Sequence, residues 1–240
     1  MGNKLKIVNV FGIKPTTSYT AAGLDFYVPH LAVLPNDKQE LAFQEFKKSY
    51  GVSDEDLHNI EKFMTRALVD KFGNSEKTVG MTYDAIHLFL ALDTPFTRSS
   101  STTWEDKIYS FANTRLVSKN EKLGMLLDFG DHVKINSGIR EALPHSYAGV
   151  FLNKSGKGTQ GYDVRAQVVD EDYTGLVHLS LSYTKDMKMG EIYVGEKLVQ
   201  QLILPIMLID ECEELDQDKY DEIMKDSERG DNGFDSTQVK

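Results

Sequence analysis

Residues 164–175 read V-R-A-Q-V-V-D-E-D-Y-T-G, an apolar stretch that ends in an acidic turn at 170–172. Further apolar runs follow at 176–181 and 198–204, so the pattern predicts that the turn is the tip of a β-hairpin. A carboxylate at a rigid hairpin tip, with Tyr173 nearby, is suited to act as a general base beside a bound ligand. An ordinary turn, in which Asp caps backbone amides, has the same residues.

The composition restricts the class of protein. A chain of 240 residues with 40% hydrophobic content can bury one core, or one core and a smaller subdomain. No apolar run reaches membrane-spanning length, and the first residues lack the apolar segment of a signal peptide. The single Cys212 excludes an internal disulfide and any paired-cysteine zinc site. We therefore expect a soluble, cytoplasmic protein that does not contact a membrane.

The charge and the histidines exclude other functions. A formal net charge of −10 argues against binding of a nucleic-acid polymer, which depends on Lys and Arg contacts with phosphates. A single nucleotide can still bind through a few local cations, backbone amides or a divalent metal ion. The histidines do not have the spacing of zinc deaminases or zinc proteases, so we interpret each as a surface or packing residue.

The periodicity changes twice along the chain. Residues 4–11 alternate as in a β-strand, and small residues at 21–23 place Asp25 on a tight strand or in a turn. From 36 to 119 the pattern is helical: Ser53 is a predicted N-cap, and Gly73 a predicted helix end. Further helices are predicted at 82–92 and 103–117, with apolar stripes that belong to a core. Strand patterns return at residue 123.

Two more stretches carry candidate phosphate ligands. The turn N-K-S-G-K-G at 153–158 combines amides, a hydroxyl and ammonium groups, although it lacks the Walker order and is equally typical of a solvated loop. After residue 209 the chain becomes acidic, which predicts a solvated arm. The tail at 229–237, R-G-D-N-G-F-D-S-T, has the residues to fold over a nucleotide; disorder is the alternative for any terminus.

In this order, the stretches resemble the five motifs of the homotrimeric dUTPase family. They are A-G-L-D-F at 22–26, N-K-S-G at 153–156, Q-V-V-D-E-D-Y-T-G at 167–175, G-E-K-L-V-Q at 195–200 and the tail at 229–237. The resemblance implies a mainly β fold, a distorted jelly-roll dUTPase-like β-barrel with an α-helical insertion. The expected divisions are a β core at 1–35 and 120–209, the insertion at 36–119, an acidic arm at 210–228 and a closing tail at 229–240.

The resemblance also implies a reaction and a partner. Such enzymes are homotrimers with shared active sites, and they hydrolyse dUTP to dUMP and pyrophosphate with Mg²⁺. Asp170 would activate the attacking water, and Tyr173 would pack under the deoxyribose. Asp25 would support the metal-water network or the pocket wall, with Mg²⁺ bound mainly through substrate phosphates and through water to Asp25.

The same resemblance implies the remaining substrate contacts. The backbone from Val164 to Val169 would read the uracil edge. The other expected ligands contact phosphates or cover the base, and they are Lys154, Ser155, Gly156, Gln200, Arg229, Phe234, Ser236 and Thr237. Among the departures from the family pattern, Lys154 replaces an Arg and loses its bidentate fork, and Gln167 and Asp235 replace glycines.

Two alternatives stay open. A dCTP deaminase of the same superfamily would have a Glu base, whereas this chain has Asp170 at the hairpin position. A dUTP-binding regulatory protein would act through the insertion at 36–119, which would then contact a protein partner. Retention of a specific partner by that segment would favour regulation.

Overall fold

The computed structural model describes residues 5–17, 23–93, 101–209 and 213–225. The strands, in chain order, are β1 (Lys6–Asn9), β2 (Leu24–Tyr27), β3 (Leu92–Asp93), β4 (Leu116–Lys119), β5 (Lys122–Leu127), β6 (His132–Asn136), β7 (Ile139–Ala142), β8 (Tyr147–Asn153), β9 (Tyr162–Val164), β10 (Val168–Val169), β11 (His178–Tyr183), β12 (Gly190–Tyr193) and β13 (Lys197–Pro205). The helices are α1 (Asn36–Tyr50), α2 (Asp54–Phe72), α3 (Glu76–Gly80), α4 (Thr82–Ala91), α5 (Trp104–Thr114), α6 (Ser155–Thr159) and α7 (Gln217–Met224), with a 3-10 turn at Leu31–Val33.

The predicted β fold is confirmed, and helices occupy most of the segment that was predicted as an insertion. The strands form four antiparallel sheets, with the orders β1-β7, β10-β8-β13-β2, β3-β6-β11-β9 and β12-β5-β4. Among the described residues these sheets are not joined into one hydrogen-bonded barrel. The second of them, which we call the site sheet, carries most of the candidate ligands because β2, β8 and β13 lie side by side in it.

The predicted starts of α2, α4 and α5 agree with the structure, but α5 ends at Thr114 rather than at 117 because β4 begins at Leu116, and α3 was not predicted. The Ser53 hydroxyl accepts a hydrogen bond from the Asp56 backbone N–H at 3.1 Å, and Gly73 follows the last residue of α2. Thr103 caps α5 in the same way, through the N–H of Asp106 at 3.1 Å. These caps satisfy amides that the helix itself leaves unpaired.

The insertion shares its core with the β-strands. Helix α4 is buried almost throughout, and it contacts β5 and β6. The short strand β3, which follows α4 directly, pairs with β6 through Leu92 and Val133. The rings of Phe46 in α1 and His87 in α4 stack with centroids 5.1 Å apart, and neither residue is exposed. Residues Met1–Ile206 therefore form one compact unit.

The third stretch differs from the predicted hairpin. Strand β9 pairs with β11, as a hairpin requires, but the chain then leaves that sheet at 165–167 and β10 pairs with β8 instead. The single hairpin is wrong in this respect. The Arg165 N–H still donates to the Ser180 oxygen of β11 at 2.9 Å, but two residues later the Gln167 oxygen accepts the Phe151 N–H of β8 at 2.7 Å. Residues 165–167 are exposed, so no buried face keeps this segment in one sheet.

A second unit begins at Met207. It contains α7, which the sequence analysis did not predict; the Asp216 carboxylate caps this helix by accepting the Lys219 N–H at 2.9 Å. All residues of α7 are exposed, in agreement with the expected solvated arm. None of the helices in the described part of the chain is both long and apolar enough to cross a bilayer.

Candidate active site

Asp25 is the centre of a cluster that joins three of the predicted stretches. It lies on β2, where a close approach of backbones was predicted: a Cβ at Gly23 would lie 2.7 Å from the backbone oxygen of Gln201. The Asp25 carboxylate forms ion pairs with Lys154 and, at 2.8 Å, with Lys197. Residues from the first, second and fourth stretches therefore meet at one carboxylate.

Gln200 belongs to the same cluster through strand register. On β13 it lies opposite Asp25 of β2, and on its other side it lies opposite Leu152 of β8. Strand β8 ends one residue later, and Lys154 then leads into α6. The expected phosphate ligand Gln200 therefore lies on β13, and Lys154 directly follows the end of the neighbouring strand β8.

The turn after β8 is open to a ligand. Ser155 and Gly156 are exposed at the start of α6, which is a single turn. A Cβ built at Gly156 would meet no atom within 4 Å, so the space beside its backbone is free among the described residues. The solvated-loop alternative from the sequence fits this exposure as well as the ligand interpretation does.

The charge of the cluster is suited to phosphate oxygens. Burial raises the pKa of Asp25, but the hydrogen bonds from Lys154 and Lys197 outweigh burial and hold that pKa below its ordinary value. Asp25 is therefore ionised at neutral pH, and it orients both ammonium groups. Two ammonium groups against one carboxylate leave one net positive charge, which favours an anion.

The residues around Asp25 bear on how a Mg²⁺ ion could bind. Both oxygens of Asp25 already face ammonium groups, and no cluster of three or more acidic, His or Cys side chains with metal-binding geometry occurs in the described ranges. Mg²⁺ keeps several waters and commonly binds through substrate phosphates, so this residue set fits an ion that the phosphates carry.

The third stretch forms a turn after β10, the strand at the opposite edge of the site sheet from β2. Glu171 anchors it, because its carboxylate accepts the Ser146 backbone N–H at 2.5 Å and contacts His145 Nδ1 at 3.0 Å. The hydrogen bond from Ser146 is the main cause that lowers the pKa of Glu171. Asp170 is exposed, and its carboxylate has no protein partner in the described part of the chain. Capping therefore falls to Glu171, which leaves Asp170 available for a ligand.

Tyr173 is held in one orientation. Its hydroxyl donates to the Leu176 backbone oxygen at 2.9 Å, and its backbone N–H donates to the Asp170 backbone oxygen at 3.2 Å. A Cβ at Gly175 would lie 2.4 Å from the Tyr173 hydroxyl, so only glycine leaves room for this ring. The ring is 42% exposed and presents a flat surface beside Asp170.

Val164 and Val169 are both buried, so a ligand would not contact their side chains. The Val164 carbonyl oxygen accepts a hydrogen bond from Gln167 Nε2 at 3.2 Å. Asn153, which the sequence analysis did not assign, connects this segment to the turn at 153–158: its Oδ1 accepts the Val164 N–H at 3.0 Å.

The sequence analysis also did not assign Lys197 as a ligand. Its position in the fourth stretch was the available signal, since a cation there lies three residues before Gln200.

Within one chain, Asp170 does not lie near the Asp25 cluster. Asp170 follows β10 at one edge of the site sheet, whereas β2 is the opposite edge. Val169 lies opposite Gly149, while Gln200, the partner of Asp25, lies opposite Leu152. Three strand spacings across and about four residues along the sheet separate the two carboxylates by roughly 20 Å. The expected ligands Arg229, Phe234, Ser236 and Thr237 lie outside the described residues.

A buried pair lies directly behind the cluster. Gln201 donates from Nε2 to Glu141 Oε2 at 2.8 Å, and Glu141 is only 8% exposed. Burial raises the pKa of Glu141 to about 7, and the hydrogen bond from Gln201 opposes this shift. A raised carboxyl pKa means that the folded state holds the proton more tightly than the unfolded chain, so Glu141 lowers stability as pH rises from its unfolded pKa to about 7.

We expect Glu141→Gln to stabilise the protein at pH 8 and to leave it unchanged at pH 4. At pH 8 the wild type must ionise a buried carboxyl, whereas Gln keeps a neutral acceptor for Gln201, a gain on the order of 1–3 kcal/mol. Denaturant unfolding at both pH values measures the effect. Glu40→Gln, at an exposed helical site, is the control. Equal effects of Glu141→Gln on stability at the two pH values would contradict the raised pKa of Glu141.

Comparison with known proteins agrees with the resemblance. A family model described as dUTPase matches residues 123–238. The deoxyuridine 5'-triphosphate nucleotidohydrolase of Corynebacterium diphtheriae is 29% identical over 113 residues, which are 46% of this chain and 70% of that protein. The enzyme of the same name from Cutibacterium acnes is 26% identical over 115 residues, with the same two coverages of 46% and 70%.

Solved structures of dUTPases are similar at lower identity. The native dUTPase of EIAV is 19% identical, with a TM-score of 0.35, and the match covers 43% of this chain and 92% of that one. A variant of the phage 80alpha dUTPase is 12% identical, with a TM-score of 0.44, and the match covers 99% of this chain and 100% of that one.

Proposed function

We propose that this chain, which belongs to the dUTPase family, hydrolyses dUTP to dUMP and pyrophosphate by attack of an activated water on the α-phosphorus. In the cytoplasm this reaction would lower dUTP and supply dUMP for dTTP synthesis. The observation that carries the proposal is the cluster around Asp25, which joins the first, second and fourth family stretches in one cationic site.

The phosphates are the part of the substrate that this cluster fits. Lys154 and Lys197 supply positive charge, and Asp25 fixes both ammonium groups before the substrate arrives. Ser155 and Gly156 offer a hydroxyl and an unobstructed backbone at the start of α6. Because phosphoryl transfer depends mainly on positioning and charge neutralisation, groups of these types suffice. Gln200, opposite Asp25, adds an amide to the same site.

Asp170 is the general base of the proposal. It is exposed on a turn that Glu171 anchors, so its carboxylate is held in place without being consumed by a protein contact. A carboxylate in that position needs only to orient one water and to accept its proton. When bound with the triphosphate, Mg²⁺ would neutralise the phosphate charge that develops during the reaction.

The nucleoside would bind along the third stretch. Tyr173 presents a fixed, partly exposed ring that packs under the deoxyribose and leaves no room for a 2′-hydroxyl. The backbone between Val164 and Val169, which crosses from one sheet to another, would read the uracil edge. In the tail, Arg229 would hold the γ-phosphate, Phe234 would cover the uracil, and Ser236 and Thr237 would close on the phosphates.

The site is shared between subunits of a homotrimer. The roughly 20 Å between Asp170 and Asp25 within one protomer is too great for both to contact one triphosphate group. A cyclic arrangement in which Asp170 of one subunit faces the Asp25 cluster of the next removes this separation. The separation estimated from the strand order and the resemblance to the family both support this arrangement.

Pyrophosphate release by the purified protein with Mg²⁺ tests the activity. We expect release from dUTP and little from dTTP, dCTP or UTP, because Tyr173 excludes the 2′-hydroxyl and the backbone reads uracil. Binding of dUTP without any release would favour the regulatory alternative, in which the helical insertion contacts a protein partner. Ammonia release from dCTP would favour the deaminase.

A further inference from the structure

A second cationic cavity lies beside the proposed active site. It has a volume of about 500 Å³ and opens to solvent between the end of α6, the start of β9 and the loop after β11. Its lining includes Lys157 and Thr159 of α6 and Gln160 just after it, but neither Ser155 nor Gly156. The cavity adjoins the turn at 153–158 through Lys157, but it does not include the residues proposed to bind the substrate phosphates, Lys154, Ser155, Gly156 and Lys197.

The floor of the cavity is preformed. The rings of Tyr162 and Tyr183 pack with centroids 5.2 Å apart, and the Tyr162 hydroxyl donates to the Glu191 backbone oxygen at 2.7 Å. A Cβ at Gly190 would lie 2.7 Å from the Tyr183 ring, so both rings press against a glycine backbone. Both tyrosines are at least 97% buried, since 3% and 1% of their surfaces are exposed. A ligand would therefore meet a rigid surface, which reduces the entropic cost of binding.

The lining carries more positive than negative charge. Lys157 is fixed by Glu196 at 2.8 Å and by the Tyr162 ring, whose centroid is 4.7 Å from its ammonium group. Three further lysines line the cavity without an acidic partner in the described ranges, and they are Lys119, Lys185 and Lys188. Four lysines and two glutamates leave a net charge of +2 in the lining.

The positive charge of the cavity lining contrasts with the negative net charge of the whole chain. The chain as a whole has a formal net charge of −10, yet unpaired ammonium groups from separate elements converge here: Lys119 from the end of β4, and Lys185 and Lys188 from the loop between β11 and β12. Like charges around a concavity repel one another, and a bound anion relieves that repulsion. Ammonium groups are point charges without preferred planar geometry, which suits the several oxygens of a phosphate chain.

We propose that this cavity binds a small molecule bearing a phosphate chain, at a site separate from the one proposed for hydrolysis. Lys185 and Lys188 hold the phosphates from the exposed loop, and Lys119 holds them from β4. A volume of about 500 Å³ is enough for a nucleoside triphosphate. Met189 and Tyr193 provide apolar lining for a base. A free polyphosphate has the same phosphate chemistry.

Calorimetric titration with tripolyphosphate tests the proposal. The double variant Lys185→Ala/Lys188→Ala removes two exposed ammonium groups, neither of which has a role in the proposed hydrolysis. The double variant Lys48→Ala/Lys62→Ala changes the net charge equally, at exposed sites on α1 and α2. We expect the wild type and the control to bind alike at this site, and the cavity variant to bind at least about tenfold more weakly.

Loss of affinity in both double variants would overturn the proposal, because it would indicate a general effect of charge. Retention of full affinity by the cavity variant would overturn it as well. Hydrolysis of dUTP is measured in parallel and should not change in the cavity variant, so failure of the proposed activity and failure of this site are distinguishable. A second titration, with ATP, identifies the ligand: tighter binding than tripolyphosphate, lost with Lys185 and Lys188, indicates a nucleotide, and equal affinity indicates recognition of phosphate alone.

Discussion

Asp170→Asn is expected to abolish nearly all pyrophosphate release from dUTP while nucleotide binding is retained. Asn has almost the same shape as Asp but cannot accept the proton of the attacking water, and general bases commonly contribute a factor of about 10²–10⁴ to the rate. The turn should remain folded, because Glu171 rather than Asp170 anchors it to Ser146. The loss should therefore appear in kcat and not in the dissociation constant of dUTP.

Asp172→Asn is the matched control, since it makes the same change two residues along the same turn, at another exposed carboxylate. Steady-state kinetics and dUTP titration of both variants separate the two roles. Equal turnover by Asp170→Asn and the wild type would remove Asp170 as the base. An equal loss in both variants would indicate that the charge of the turn, rather than one positioned carboxylate, matters for activity.

Two inactive variants are expected to restore activity when they assemble together. Asp170→Asn removes the base, and the double variant Lys154→Ala/Ser155→Ala removes the phosphate turn. If one subunit supplies the base and its neighbour supplies the phosphate turn, random assembly of equal amounts gives about one quarter of the sites both intact parts. The unfractionated mixture should then show about one quarter of wild-type activity, and the isolated mixed trimers about one third, because each has one intact site of three. If each active site were instead formed by a single chain, no site in the mixture would be intact, because every chain carries one of the two defects.

The measurement requires subunits that have exchanged. Different affinity tags on the two variants, with purification over both tags after refolding together, isolate the mixed oligomers. The same procedure with two batches of Asp170→Asn is the control and should give no recovery. Mixed oligomers as inactive as their parents would show that the separation of Asp170 from the Asp25 cluster is not closed by a neighbouring subunit.

The sequence predicts the local elements well because their causes are local. Ser53 and Thr103 cap their helices within three residues, and Gly73 ends α2. The strand at 165–167 was predicted wrongly, since whether an exposed segment stays in one sheet depends on partners far away in sequence. Helix α7 was missed because its acidic composition indicated only solvation.

The candidate site was partly predictable for a related reason. The types of groups suited to water activation and phosphate binding can be read from residues such as Asp170 and Ser155. The sequence does not show which of the three adjacent acidic residues anchors the turn and which is free to bind a ligand. That depends on the backbone N–H of Ser146, which donates to Glu171. The sequence also did not predict the ion pair of Lys197 with Asp25, because it depends on contacts between residues far apart in sequence.

By itself, the sequence determined which chemical groups are present, their order along the chain and the local helices and strands. These follow from periodicity, capping and turn residues, which act over a few neighbouring positions. Only the tertiary structure decided which groups meet. Lys154 and Asp25 are 129 positions apart, and they touch because β13 pairs with β2 on one side and with β8 on the other. It also placed Asp170 at the opposite edge of that sheet, because strand order depends on pairing between distant segments.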